Sequence, residues 1–209
     1  MRLILVRHCA TEHTEESVYS GHSSVALSEV GETQAHLLSL YFQDDDVDTI
    51  LTSDLPRALA TADAIATYHP DRLSETAELR EIHMGEWEGL TYAEVEARSP
   101  EALRDWVSQP VTTAPPGGET TQEVSDRIQH MLSETYKQYP EGTVMWVTHG
   151  GVISVLLSHL LGMDLARRWQ WHTDPASISE LEIGEADEDT ATTASPLYAI
   201  VMRFNETLS

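Results

Sequence analysis

The run Leu3-Ile4-Leu5-Val6, followed at once by Arg7-His8, constrains this chain more than any other stretch. Four apolar residues without polar alternation read as a short strand buried on both faces, which a parallel sheet flanked by helices provides. The run ends in two basic side chains where the strand leaves the sheet. In open parallel sheets, ligands sit beyond the carboxyl ends of the strands, so Arg7 and His8 stand where chemistry is expected. Two later segments repeat the pattern. Val47 to Thr52 reads as a strand ending in Ser53-Asp54, with Arg57 one turn on, and Thr143 to Thr148 ends in His149-Gly150-Gly151.

Helical signals alternate with these strands. Ser28 is a good N-cap for an amphipathic helix through about Phe42. Ser53-Asp54 reads as a turn and cap for a helix through Ala66, with Pro56 in its first turn. Thr91 with Glu94, and Thr120 with Glu123, have capping-box spacing; the second opens a helix to about Tyr139. Ser99-Pro100 opens another helix, reaching Trp106 or Val107. Val152 to Leu161 is strongly apolar, and Gly162 is its natural stop. Thr11 to Ala26 reads as a polar loop, Leu73 to Leu79 as room for a short strand, and Leu79 to Gly89 as irregular. Ser177 to Ile183 and Leu197 to Phe204 alternate as late strands, with Gly184 to Ser195 an exposed connection between them. The expected fold is α/β, a three-layer α/β/α sandwich with a mainly parallel central sheet. It forms one domain over 1–209, with a helical, cap-like insertion around 90–118.

The net charge of −23, with Lys137 as the single lysine, would repel nucleic acid and acidic membranes, so neither is an expected partner. Any anionic substrate must be held by a few locally placed arginines. Such acidity fits a surface adapted to high salt and equally an ordinary acidic cytosolic protein. The longest strongly apolar stretches, such as Val152 to Leu157, are too short to span a bilayer. The start of the chain lacks the long apolar core of a signal peptide, and one cysteine suits a reducing cytoplasm, the expected location.

If the three strands are neighbours, Arg7, Arg57, His8, His149 and helix N-termini face one crevice. That set suits a phosphate dianion: arginines bind its oxygens bidentately, and free N–H groups at a helix start add donors. A histidine among cations stays neutral and available as a nucleophile. Glu81, in a polar loop, is placed to protonate a departing alkoxide.

Six motifs in order carry a resemblance across nearly the whole chain. They are L-V-R-H at Leu5 to His8 with Thr11 after it, L-S-x-x-G-x-x-Q-A at Leu27 to Ala35, and S-D-L-x-R-A-x-x-T-A at Ser53 to Ala62. They continue with L-R-E-x-x-x-G-x-W-E-G at Leu79 to Gly89, P-G-G-E-T at Pro116 to Thr120, and T-H-G-G at Thr148 to Gly151. The sequence resembles the histidine phosphatase, or phosphoglycerate mutase-like, superfamily, and its Glu81 segment resembles the broad-specificity and α-ribazole phosphatase branch. The resemblance implies that His8 is the phosphorylated nucleophile, that Arg7, Arg57 and His149 hold the phosphoryl group, and that Glu81 is the proton donor. Thr11 and the Gly150 backbone would complete the pocket. Ser53 and His22 are further candidate substrate contacts, a solvated loop position being the alternative for His22. No cofactor and no metal is implied. The expected activity is hydrolysis of a small-molecule phosphate monoester; oligomeric state is open, a homodimer included. Two departures stand out: Cys9 occupies the usual glycine position, where it could shift the loop or sensitise the site to oxidation, and Thr14 replaces a common asparagine.

Rival chemistries fit less well. A cysteine phosphatase needs arginine six residues after its cysteine, and that position is Glu15. No H-E-x-x-H or paired-cysteine spacing supports zinc, and His8 with His13 is a weak ligand pair. A non-catalytic phospho-ligand-binding member would have lost the histidine or glutamate, and both are present. A cofactor-dependent phosphoglycerate mutase is the nearer alternative. It calls for extra cations around the pocket, yet 90–118 offers only Arg98 and Arg104, on helices where salt bridges to solvent-facing neighbours are commoner.

Overall fold

In a computed structural model, residues 1–187 and 196–208 are described. Strands are β1 (Arg2–Arg7), β2 (Thr49–Ser53), β3 (Leu73–Thr76), β4 (Thr143–Thr148), β5 (Ile178–Glu185) and β6 (Leu197–Glu206). Helices are α1 (Glu12–Glu15), α2 (Glu29–Tyr41), α3 (Pro56–Ala66), α4 (Tyr92–Arg98), α5 (Pro100–Ser108), α6 (Thr121–Gln138) and α7 (Gly150–Leu160). The sheet order is β3-β2-β4-β1-β5-β6. The first four strands in that order run parallel, and β5 and β6 are antiparallel additions at one side. The expected α/β class and mainly parallel sheet are what the chain forms.

Leu3 to Val6 are fully buried, as their unbroken apolarity requires. Leu3 and Leu5 point into one core cluster with α6 and α7, while Ile4 and Val6 point into another with α2 and α3. Because β1, β4 and β2 are parallel and in register, Arg7 pairs with Thr148 and Thr52 with Val147. Their carboxyl ends therefore open on one edge.

Two local readings need correction. The Thr11 to Ala26 loop contains α1, a single turn capped by Thr11, whose box partner is Thr14 rather than the Glu or Gln that marks such boxes in sequence. Ser53-Asp54 does not cap α3. Leu55 is the N-cap without a side-chain bond and Pro56 opens the helix, while Asp54 forms a bidentate pair with Arg80 at 2.6 and 2.5 Å. Leu73 to Leu79 does hold a short strand, β3, followed by a 3-10 turn, and the glycine-rich segment after it holds a second 3-10 turn at Gly85–Trp87. Part of the expected 184–195 connection, residues 188–195, lies outside the described residues. Among those described, no helix is long and apolar enough to cross a membrane.

Candidate active site

β1 delivers Arg7 and His8 to the open edge of the sheet. The His8 ring is nearly buried, and its two nitrogens have different partners. Nδ1 lies 2.7 Å from the Cys9 carbonyl, which can only accept, so Nδ1 carries the proton. That leaves a lone pair on Nε2, which accepts from Arg57 Nε at 3.2 Å. Arg57, fully buried on the first turn of α3, also donates to the carbonyls of Gly21 (2.7 Å) and Ser23 (3.1 Å). It thereby ties the loop after α1 to the nucleophile position.

His149, the N-cap of α7, sits with its ring 5.1 Å from that of His8. Its Nε2 is 2.9 Å from Ser53 Oγ, at the end of β2. Arg7 donates to the Thr173 carbonyl. Arg7 Nε and His149 Nδ1 are buried polar atoms without a hydrogen-bond partner among the described residues. Burial first, then the charges of Arg57 and Arg7, hold both His8 and His149 well below the ordinary histidine value. Both rings are therefore neutral at pH 7, as expected for a histidine among cations.

This has a consequence for stability. As pH falls through about 6.5, the unfolded chain protonates these histidines while the folded chain resists. Their contribution to stability is thus complete above that pH and lost below it. The pair alone should lower unfolding free energy by up to about 2.7 kcal/mol per pH unit. Denaturant titrations between pH 7.5 and 5.5 measure this; a flat profile would mean the rings protonate freely in the fold.

Glu81 approaches from the irregular segment. Its carboxylate accepts from Ile82 N at 2.8 Å and from Gly151 N, in the first turn of α7, at 3.0 Å. A Cβ on residue 151 would lie 2.2 Å from Glu81 Oε1, so glycine is what admits the carboxylate there. Arg127 of α6 clamps the backbone behind it, donating to the carbonyls of Glu78, Arg80 (2.7 Å) and Glu81 (3.3 Å) while paired with Glu119 at 2.9 Å. His22 Nε2 also bonds the Glu81 carbonyl, at 2.9 Å.

A cavity of about 360 Å³ is lined by Arg7, His8, Arg57, Glu81 and Arg168, among others. It adjoins one of about 520 Å³ that shares Arg7, Glu81, Trp106 and Arg168 and adds Gly150, Trp169 and Trp171. The structure thus brings His8, Arg7, Arg57, His149 and Glu81 together, with Ser53 behind His149 and Gly150 on the wall. It does not bring Thr11 there: that side chain is fully buried and spent on Thr14, at 3.2 Å from its N–H and 2.8 Å from its hydroxyl. His22 supports the Glu81 loop rather than lining either cavity. The weak ligand pair is separated in role, since His13 Nδ1 faces Ser20 Oγ at 3.4 Å while His8 faces Arg57.

Cys9 is also settled by burial. It is fully enclosed, its N–H donates to Thr61 Oγ1 at 3.1 Å, and its backbone does not take a positive φ. A side chain is therefore accommodated where glycine is usual. Burial pushes the thiol up to about 11, which disfavours the thiolate that oxidation requires. Two residues absent from the sequence reading matter here. Arg127 carries no motif of its own, although its partner Glu119 lies in one. Arg168 lies on a 3-10 turn, Leu165–Gln170, that has no hydrophobic period to announce it.

The family model of the histidine phosphatase superfamily (branch 1) matches residues 3–194. Phosphoserine phosphatase 1 of Hydrogenobacter thermophilus is 34% identical over 185 residues, covering 88% of each chain. A glucosyl-3-phosphoglycerate phosphatase of Mycolicibacterium vanbaalenii is 34% identical over 169 residues, covering 78% of this chain and 75% of its own. Among solved structures, the α-ribazole phosphatase of Shigella flexneri superposes with a TM-score of 0.85 at 26% identity over 99% of this chain and 96% of that one. A mycobacterial glucosyl-3-phosphoglycerate phosphatase with VO3 gives 0.84 at 28% identity over 99% of both. Ordered motifs, parallel strand ends and whole-chain likeness coincide, and the chain belongs to branch 1 of the histidine phosphatase superfamily.

Proposed function

We propose that this phosphatase hydrolyses small-molecule phosphate monoesters in two steps through phospho-His8. The observation that carries this reading is the His8 tautomer: Nδ1 is committed to the Cys9 carbonyl, and the Nε2 lone pair faces Arg57 in the cavity. Nε2 attacks phosphorus, and the P–O bond to the leaving group breaks. Arg57 turns its Nε–H from the imidazole to a phosphoryl oxygen, and Arg7 Nε and His149 Nδ1, both without a partner among the described residues, are in place to add donors. His149 must carry its proton on Nδ1 for this, with Nε2 accepting from the Ser53 hydroxyl. Glu81 gives its proton to the departing oxygen. It then takes one from the water that attacks phospho-His8, releasing inorganic phosphate.

The names of the relatives agree on small phosphate monoesters without agreeing on one. Against the mutase alternative, Arg98 and Arg104 are both exposed, so the 90–118 segment adds no cation to the cavity. We read α4 and α5 as a cap over one domain. Trp106 of α5 packs edge-on against Trp87 at 5.5 Å and Tyr19 at 6.4 Å, which seats the cap beside the cavity. The buried thiol of Cys9 fits a cytoplasmic location.

The test compares initial rates of phosphate release from a panel of monoesters with isomerisation of 3-phosphoglycerate primed by the bisphosphate. Hydrolysis should dominate; isomerisation running much faster than any hydrolysis would contradict the reading. The acid role has its own signature. Glu81→Gln should slow alkyl phosphates by about 10²–10⁴-fold and p-nitrophenyl phosphate far less in its first step, because that leaving group needs no proton. Equal loss on both in burst-phase kinetics would remove Glu81 from proton donation.

A further inference from the structure

Seven arginines are at least partly withdrawn from solvent: Arg2, Arg7, Arg57, Arg80, Arg127, Arg168 and Arg203. In a chain with 35 Asp and Glu against 12 Lys and Arg, an acidic partner is easily found. Four of the seven have one: Arg2 with Glu180 at 2.7 Å, Arg80 with Asp54 at 2.5 Å, Arg127 with Glu119 at 2.9 Å and Arg203 with Glu180 at 3.1 Å. The other three, Arg7, Arg57 and Arg168, make no ion pair among the described residues, and all three line the 360 Å³ cavity. Arg7 and Arg57 at least donate to backbone carbonyls. The Arg168 guanidinium has no hydrogen-bond partner among the described residues.

Leaving a half-buried guanidinium unpaired is costly, since it loses hydration without gaining an acceptor. Glu81 is near enough to act on it electrostatically yet is held on Gly151 N and Ile82 N. Two cations beside His8 suffice for the phosphoryl oxygens. The third lines both the 360 Å³ cavity that holds His8 and the adjoining 520 Å³ one, two cavities that also share Trp106, while Trp171 lines the larger.

We propose that Arg168 determines specificity by binding a carboxylate carried on the leaving group of the phosphate ester. The planar fork of arginine matches a carboxylate bidentately, and the short carbon skeleton between the two anions lies against Trp106. The inference rests on the phosphomonoesterase reading and narrows it to esters bearing a carboxylate within a few bonds of the phosphate.

O-phosphoserine and O-phosphoethanolamine differ by that carboxylate alone and are the probes. Wild-type protein should favour O-phosphoserine by about 10–100-fold in kcat/KM. Arg168→Ala should bring the ratio close to one, and Arg168→Lys should restore part of it. Because the readout is a ratio, a general loss of activity or folded fraction cancels. Equal handling of the two esters by wild type, a ratio unchanged in Arg168→Ala, or a preference for a short-chain bisphosphate over O-phosphoserine would each overturn the assignment. Should no ester be hydrolysed, the phosphatase reading fails by itself. Calorimetric binding of the same two esters to wild type and Arg168→Ala then decides the carboxylate site, by the same ratio and its loss.

Discussion

His8→Ala should lower kcat/KM for every phosphate ester by about 10⁴-fold or more, because it removes the atom that forms the covalent bond. The loss should be catalytic and not structural. The His8 ring faces the cavity, and its side-chain bond within the fold, besides that from Arg57, is the local one to the Cys9 carbonyl. The variant should also resist acid better. One of the two histidines held well below the ordinary value is gone, and His22 and His159, lowered chiefly by burial, remain with His149, so the stability lost between pH 7 and 5.5 should shrink without disappearing. Retained turnover, or an unchanged acid slope in a folded variant, would each count against the site as described.

Arg57→Ala should be damaging in a different way. Three hydrogen bonds disappear with the guanidinium, two of them to the Gly21 and Ser23 carbonyls of the loop that borders the cavity. A buried multi-bonded arginine costs about 2–4 kcal/mol of stability when truncated. Activity should fall by about 10²–10³-fold on top of any unfolding, as a donor to the developing phosphoryl charge is lost. Arg57→Lys separates the two effects. It restores a positive charge but not the fork that reaches His8 and the loop together, so binding of inorganic phosphate should recover more than thermal stability does. Full recovery of both would show that charge alone matters at this position.

The strand ends were legible because an apolar run broken by Arg-His or His-Gly-Gly marks both a buried strand and its exit. The capping boxes at Thr91 and Thr120 were legible because serine- or threonine-to-glutamate spacing reflects local bonds that need no tertiary context. Thr11 is the converse case. Its box partner is another threonine, so the local bond that buries its hydroxyl on α1 leaves no signature in the spacing. The position of Cys9 beside His8 suggests oxidation sensitivity, whereas its enclosure, which raises the thiol, leaves no mark in the sequence. Arg168 could not be read at all. It is one of two adjacent arginines in a short 3-10 turn, and only the packing of that turn on α7 and the cavity rim separates half-buried Arg168 from exposed Arg167. Long-range placement of a charge in an aperiodic segment leaves no trace in spacing.

The central claim, covalent catalysis at His8, is tested most directly by rapid-quench labelling with a phosphate ester carrying labelled phosphorus, followed by peptide mapping. The account predicts a transient protein-bound label that is acid-labile and alkali-stable, maps to the peptide containing His8, and is absent from His8→Ala. Turnover without any such label before steady state, or a label that maps to another residue, would contradict it.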